Sequence, residues 1–143
     1  MSNHLSATVT LTNDKMQFAA STRTNPVVQM DYFPPLGDGE GYTGLEMLLM
    51  SFAGCSASSI VPLLRRMHKT VSGFIVNASG DRREQHPTCF HTITAEYVVT
   101  SPDIEEQDMQ KAIQMSEETY CPVWAMLKGN VTITTTFRIE RPS

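Results

Sequence analysis

Residues 43–68, TGLEMLLMSFAGCSASSIVPLLRRMH, decide the fold. Leu45, Leu48, Leu49, Phe52, Ala53, Ile60, Leu63, Leu64 and Met67 recur mostly at helical spacings, so the stretch predicts the longest helix of the chain. Thr43 is placed to cap its start, and Glu46 three residues later completes a capping-box pattern. Arg65, Arg66, His68 and Lys69 put positive charge at the far end, where the helix dipole favours it. Pro62 inside the run predicts a kink or a break into two helices.

Outward from this helix, the pattern changes to strands in both directions. Upstream, residues 5–12 alternate weakly and predict a strand. Asn13-Asp14-Lys15 supplies turn chemistry, and Met16 to Ser21 closes a hairpin. Pro26 to Tyr32 is a weaker extended segment. Phe33 to Gly41 holds Pro34, Pro35, Gly37, Gly39 and Gly41, which makes it a loop. Downstream, Val71 to Gly80 predicts a strand, Asp81 to Pro87 a polar turn, and the β-branched, aromatic run Cys89 to Thr100 a further strand. A helix is expected from Ile104 to about Thr119. Tyr120-Cys121-Pro122 interrupts it, and Pro122 suits the first position of a short helix running to about Lys128. Val131 to Ile139 is a closing strand. Strands, a helix, then strands predict an α+β fold with antiparallel sheets, and 143 residues fit a single domain, residues 1–143.

Composition narrows the function. The net charge is −4 and there is no basic stripe, so nucleic acid is not an expected partner. The apolar stretch Leu45 to Ala53 is broken by Glu46 and Ser51 and is too short to span a bilayer, so no membrane association is expected. The start, Met-Ser-Asn-His, lacks the regions of a signal peptide, which predicts a cytoplasmic protein. Three cysteines in such a chain argue against a structural disulfide framework and for inert, catalytic or metal-binding roles. The 9 methionines are core filler or the lining of an apolar pocket, with Met47, Met50, Phe52 and Trp124 as candidate lining residues.

Each cysteine reads differently. Cys55 lies mid-helix in the small-residue stretch Ala53-Gly54-Cys55-Ser56-Ala57; it is either a buried thiol at a tight helix crossing or a reactive one. Gly54 costs helix stability, which a close approach by another backbone or a ligand would explain. Cys121 sits before Pro122 at a helix start, where backbone N–H groups and the dipole lower a thiol pKa; otherwise it merely caps a turn. Cys89 shares a strand face with His91 and lies near His86. That is a weak metal signal, because no fourth ligand is evident and the spacing is not a standard zinc pattern. No metal and no cofactor are expected. Glu46 lies two and a half turns before Cys55, so it acts on an arginine or a neighbouring subunit rather than on Cys55 directly.

Two of these segments carry a resemblance. Gly41-Tyr42-Thr43-Gly44-Leu45-Glu46-Met47-Leu48-Leu49-Met50-Ser51-Phe52-Ala53-Gly54-Cys55 resembles the Gly-x-x-Pro-x-Glu-Leu-Leu-Leu-x-Ser-Leu-Ala-Gly-Cys segment of the OsmC/Ohr family. Ser116-Glu117-Glu118-Thr119-Tyr120-Cys121-Pro122-Val123 is similar to the second signature of that family, a helix running into Cys-Pro-Val. The resemblance implies the OsmC-like fold: antiparallel sheets around two long central helices in an intertwined homodimer, with the site at the subunit interface. It implies a thiol-dependent peroxidase for organic hydroperoxides, active in oxidative-stress defence. Cys55 would attack the peroxide, Cys121 would resolve the sulfenic acid as a disulfide, and Glu46 would orient a cation or the peroxide. A dithiol or a lipoylated protein would restore the thiols. The chain departs from the family pattern twice. Gly44 stands where proline is usual, and Arg23, the arginine before Cys55, does not align with the activating arginine of the peroxidase members. The second departure keeps an alternative open: a dimer of this fold that binds a small ligand or senses redox state without efficient peroxidase activity.

Overall fold

The computed structural model describes residues 3–143. Its contacts divide into two compact units, one ending at Leu48 and one beginning at Leu49. The architecture is α+β, as the sequence predicts.

The first unit carries an antiparallel meander of three short strands, β1 (Thr8–Leu11), β2 (Phe18–Ser21) and β3 (Val28–Met30). The turn between β1 and β2 forms because the Asn13 side chain accepts the Lys15 N–H at 2.9 Å and the Gln17 N–H at 3.1 Å. Lys15 then pairs with Asp38 at 2.8 Å. After β3 the chain makes the expected Pro/Gly loop and returns beside β3, where Tyr42 bridges Met30. Gly41 is required at that approach, since a Cβ there would meet the Gln29 carbonyl oxygen at 2.6 Å.

Asp31 organises the loop. Its buried carboxylate accepts the backbone N–H groups of Tyr32 at 2.7 Å, Glu40 at 3.1 Å and Asp38 at 3.3 Å. Burial pushes the carboxyl up, but the N–H groups of Glu40, Tyr32 and Asp38 outweigh it and hold the group below the ordinary value of 3.8. A depressed carboxyl contributes stability that is complete above its unfolded pKa and is lost as pH falls through the folded one. Melting temperature is therefore expected to drop on acidification between about pH 5 and pH 2. Asp31→Asn should melt lower than the parent at neutral pH and show a shallower acid slope. An Asn variant with an unchanged melting curve at both pH values would remove this role from Asp31.

Helix α1 (Gly44–Arg66) begins in the first unit with the expected capping box: the Thr43 N–H donates to Glu46 Oε1 at 2.9 Å, and the Glu46 N–H to Thr43 Oγ1 at 3.2 Å. It ends on His68, whose φ of 62° is left-handed. There the Lys69 N–H reaches the Leu64 carbonyl at 3.1 Å and the His68 N–H the Arg65 carbonyl at 3.0 Å, a Schellman closure with histidine in glycine's usual place. Of the kink or break expected at Pro62, the break does not occur: the helix runs through it as one element. Proline deletes one backbone hydrogen bond, and the packing of Ile60, Leu63 and Leu64 in the core holds the turn. With 23 residues and a mean hydropathy of 1.7 over its best window, α1 is long and apolar enough to cross a bilayer. The sequence expectation of too short a stretch fails on that count, although Phe52, Ile60 and Leu64 are packed inside protein.

The second unit is a three-stranded sheet with short helices. Strand β4 (Gly73–Arg82) pairs antiparallel with β5 (Phe90–Thr100). Strand β6 (Thr132–Glu140) lies on the other side of β5 and runs parallel to it, from Thr92 opposite Thr132 to Thr100 opposite Glu140. The expectation of purely antiparallel sheets is corrected here. The connection from β5 to β6 contains helix α2 (Glu106–Met115), a π-helical turn (Ser116–Tyr120) and helix α3 (Pro122–Leu127), which is the crossover a parallel pair needs. On β5, Ile93, Ala95, Tyr97 and Val99 alternate inward and are fully buried. Gly80 stands opposite Ile93, and the Phe90 ring occupies the space a Cβ would fill at 2.6 Å.

A dithiol where α1 meets α3

Cys55 lies on the middle of α1 and is half-buried; Cys121 caps α3 and is 3% exposed. Both are free thiols. They are neighbours: the Cys55 thiol is close enough to Cys121 for its hydrogen bonding and charge to act there. The packing beside them explains the meeting. Phe52 and Trp124, both buried, stack edge to face with ring centroids 5.3 Å apart. Phe52 precedes Cys55 by three residues and Trp124 follows Cys121 by three, so each pair shares a helix face. The aromatic contact and the thiol contact are successive rungs of one interface.

The turn before Cys121 is π-helical. Its closing bond runs from the Cys121 N–H to the Ser116 carbonyl at 2.9 Å, five residues back. Cys121 then takes an extended backbone and its sulfur accepts the Trp124 N–H at 3.4 Å. The sequence predicts a lowered pKa for a thiol at this helix start, and the structure reverses the direction. Burial pushes the Cys121 thiol up, and Cys55 adds to the rise, against the downward pull of the Trp124 and Val123 N–H groups. A helix of six residues has a weak dipole, and desolvation wins.

Two buried hydroxyls beside the dithiol escaped the sequence reading. Among the described residues, Tyr97 OH and Ser116 Oγ are buried without a hydrogen-bond partner. Burial pushes the Tyr97 phenol up to about 12; Ser56 draws it down, and Cys121 and Glu117 raise it further. The available signal was position, since Tyr97 alternates with Ile93, Ala95 and Val99 and must carry its oxygen inward.

The remaining candidates make contacts of their own. Glu46 belongs to the first unit, where its carboxylate is engaged by the α1 cap and it lines a groove of about 710 Å³ with Val27, Gln29, Glu40 and Tyr42. Arg23 sits in the turn after β2, with a left-handed φ of 55°. Of the candidate pocket residues, Phe52 and Trp124 are core, whereas Met50 is 45% exposed and lines a shallow groove with Val76 and Ala78. Gly54 faces open space, with nothing within 4 Å of where a Cβ would stand, so no close approach among the described residues explains it. Cys89 is exposed on a turn pinned by Arg82 and Arg83, which donate to the Thr88 and His86 carbonyls at 2.7 and 2.9 Å. Among the described residues no group of three or more His, Cys, Asp or Glu side chains could hold a metal.

A family model described as OsmC-like protein matches residues 37–136, which carry both cysteines. The chain belongs to the OsmC-like family. It is similar to Protein YhfA of Escherichia coli strain K12, at 34% identity over 95 residues, covering 66% of this chain and 71% of that protein. Among solved structures, a hypothetical protein from Aquifex aeolicus VF5 superposes with a TM-score of 0.86 at 23% identity, covering 99% of this chain and 100% of the other. An organic hydroperoxide resistance protein OsmC from Legionella pneumophila superposes at 0.70 with 12% identity, covering 94% and 96%. Both structural likenesses show the family fold.

Proposed function

We propose that this protein is a thiol peroxidase subunit that reduces organic hydroperoxides in oxidative-stress defence. The observation that carries the reading is the half-buried Cys55 thiol set against the buried thiol of Cys121. Cys55 sulfur attacks the peroxide, the O–O bond breaks, the alcohol leaves, and Cys55 holds a sulfenic acid. Cys121 sulfur then bonds to Cys55 sulfur, the S–O bond breaks, and water leaves with the Cys121 proton. A dithiol, of the small-molecule or lipoylated-protein kind, reduces the disulfide and is itself oxidised. The protein acts in the cytoplasm as an intertwined homodimer, with Glu46 orienting a cation or the peroxide. Exposed apolar groups support the dimer: Val9, Leu11 and Val27 lie uncovered in the first unit, whose short strands make a marginal sheet alone.

Stopped-flow consumption of cumene hydroperoxide by the reduced protein tests this. Fast loss of one equivalent with a Cys55–Cys121 disulfide in the mass spectrum is the expected result. Loss no faster than that of a free thiol at the same pH would sink it. One observation favours the second reading, a redox sensor or small-ligand-binding dimer: the leading influences on Cys121 are burial, Cys55 and backbone N–H groups, and no cation is among them. Slow oxidation that nevertheless ends in the disulfide supports the sensor.

A further inference from the structure

Ionising Cys121 in this setting demands donors. Burial and Cys55 oppose the thiolate, and the Trp124 N–H at 3.4 Å with the Val123 N–H do not outweigh them. Among the described residues, the groups that act on Cys121 or Tyr97 are Cys55 and Ser56 from α1, Ser116 and Glu117 from the π-helical turn, and Val123 and Trp124 from α3. None of them is a cation. Tyr97 and Ser116 are fully buried, and among the described residues neither hydroxyl makes a hydrogen bond of good geometry; Ser56, beside the Tyr97 oxygen, gives its own hydroxyl to the Ala53 carbonyl at 3.1 Å. A buried O–H left unmatched is costly unless another state of the protein uses it. Tyr97 comes from the inner face of β5 with its oxygen near Ser56, the residue after Cys55, and near Cys121. Its ring is held by packing against Phe74, centroids 6.1 Å apart, which leaves the hydroxyl as the unexplained part.

We infer that the Tyr97 hydroxyl is a positioning donor for Cys121, giving its O–H to that sulfur when the thiol ionises and so setting the pH at which the dithiol closes. Tyr97 stays neutral throughout, because burial keeps the phenol protonated up to about 12. The part this plays in turnover rests on the peroxidase reading; the donor role itself does not.

The test uses the full chain in a Cys89→Ser background, labelled with ¹³Cβ-cysteine and titrated by NMR. Tyr97→Phe keeps the ring and removes the donor. The expected result is a rise of about one pH unit in the Cys121 midpoint, a tenfold loss of thiolate, without a fall in melting temperature. Disulfide closure by diamide, which takes two electrons and both thiol protons, should slow about tenfold at neutral pH. An unmoved Cys121 midpoint in folded Tyr97→Phe overturns the inference. If that variant does not fold, 3-fluorotyrosine at position 97, a stronger donor of nearly the same shape, must lower the midpoint, and no movement overturns the inference equally. Failure of the peroxidase reading appears separately, as a parent protein that hydroperoxide does not oxidise while the Cys121 titration still answers to Tyr97.

Discussion

Cys55→Ser is expected to remove peroxide turnover, by about 10³-fold or more, and with it the disulfide. A serine hydroxyl is a poor nucleophile unless a base takes its proton, whereas a thiol ionises far more readily and is the stronger nucleophile. Cys121→Ser should behave differently. One equivalent of peroxide is still consumed, and Cys55 then stops at sulfenic acid, which dimedone traps at a mass that identifies the residue. Cys89→Ser should leave both events unchanged, since Cys89 lies on the Arg-pinned turn beyond β4. Equal turnover by Cys55→Ser and the parent would falsify the assignment.

Phe52→Ala is expected to cost about 3–5 kcal/mol in a denaturant melt. Phe52 is fully buried, and its ring meets Trp124 edge to face at 5.3 Å, so truncation loses apolar burial and the aromatic pairing and leaves a cavity. The cavity opens one helical turn from the sulfurs, where α3 is held against α1. Closure of the Cys55–Cys121 disulfide by diamide should therefore slow in whatever fraction remains folded. A loss below about 1 kcal/mol would mean that this contact is not part of the core.

The sequence made α1 legible to within two residues because periodicity, cap and terminal charge agree there. The hairpin of β1 and β2 was legible for the same reason: Asn13 has one turn-forming use, and it is the one observed. What periodicity does not carry is the identity of a strand's neighbour. Val131 to Ile139 reads as a strand with no direction attached, and only the crossover through α2 and α3 makes β6 parallel to β5. Whether Pro62 bends the helix or breaks it was not legible, because a proline's local cost says nothing of the core that holds Leu63 and Leu64. At the site, the two cysteines were recognisable by motif, but the direction of the Cys121 shift depends on burial, which chain neighbours do not reveal. Tyr97 looked like any aromatic on a β-branched strand until its oxygen was found inside.

The π-helical turn from Ser116 to Tyr120 has a genetic consequence. A π turn is an α turn holding one residue more, so the loss of a single codon there lets the helix wind regularly. The extra residue is absorbed within the turn, so the residues on either side keep their directions when it is lost: the bond from the Cys121 N–H to the Ser116 carbonyl simply shortens from five residues to four. Such a deletion touches neither cysteine and leaves the two sulfurs together. The segment leading into Cys121 can thus change length by one codon while the fold and the dithiol are both kept.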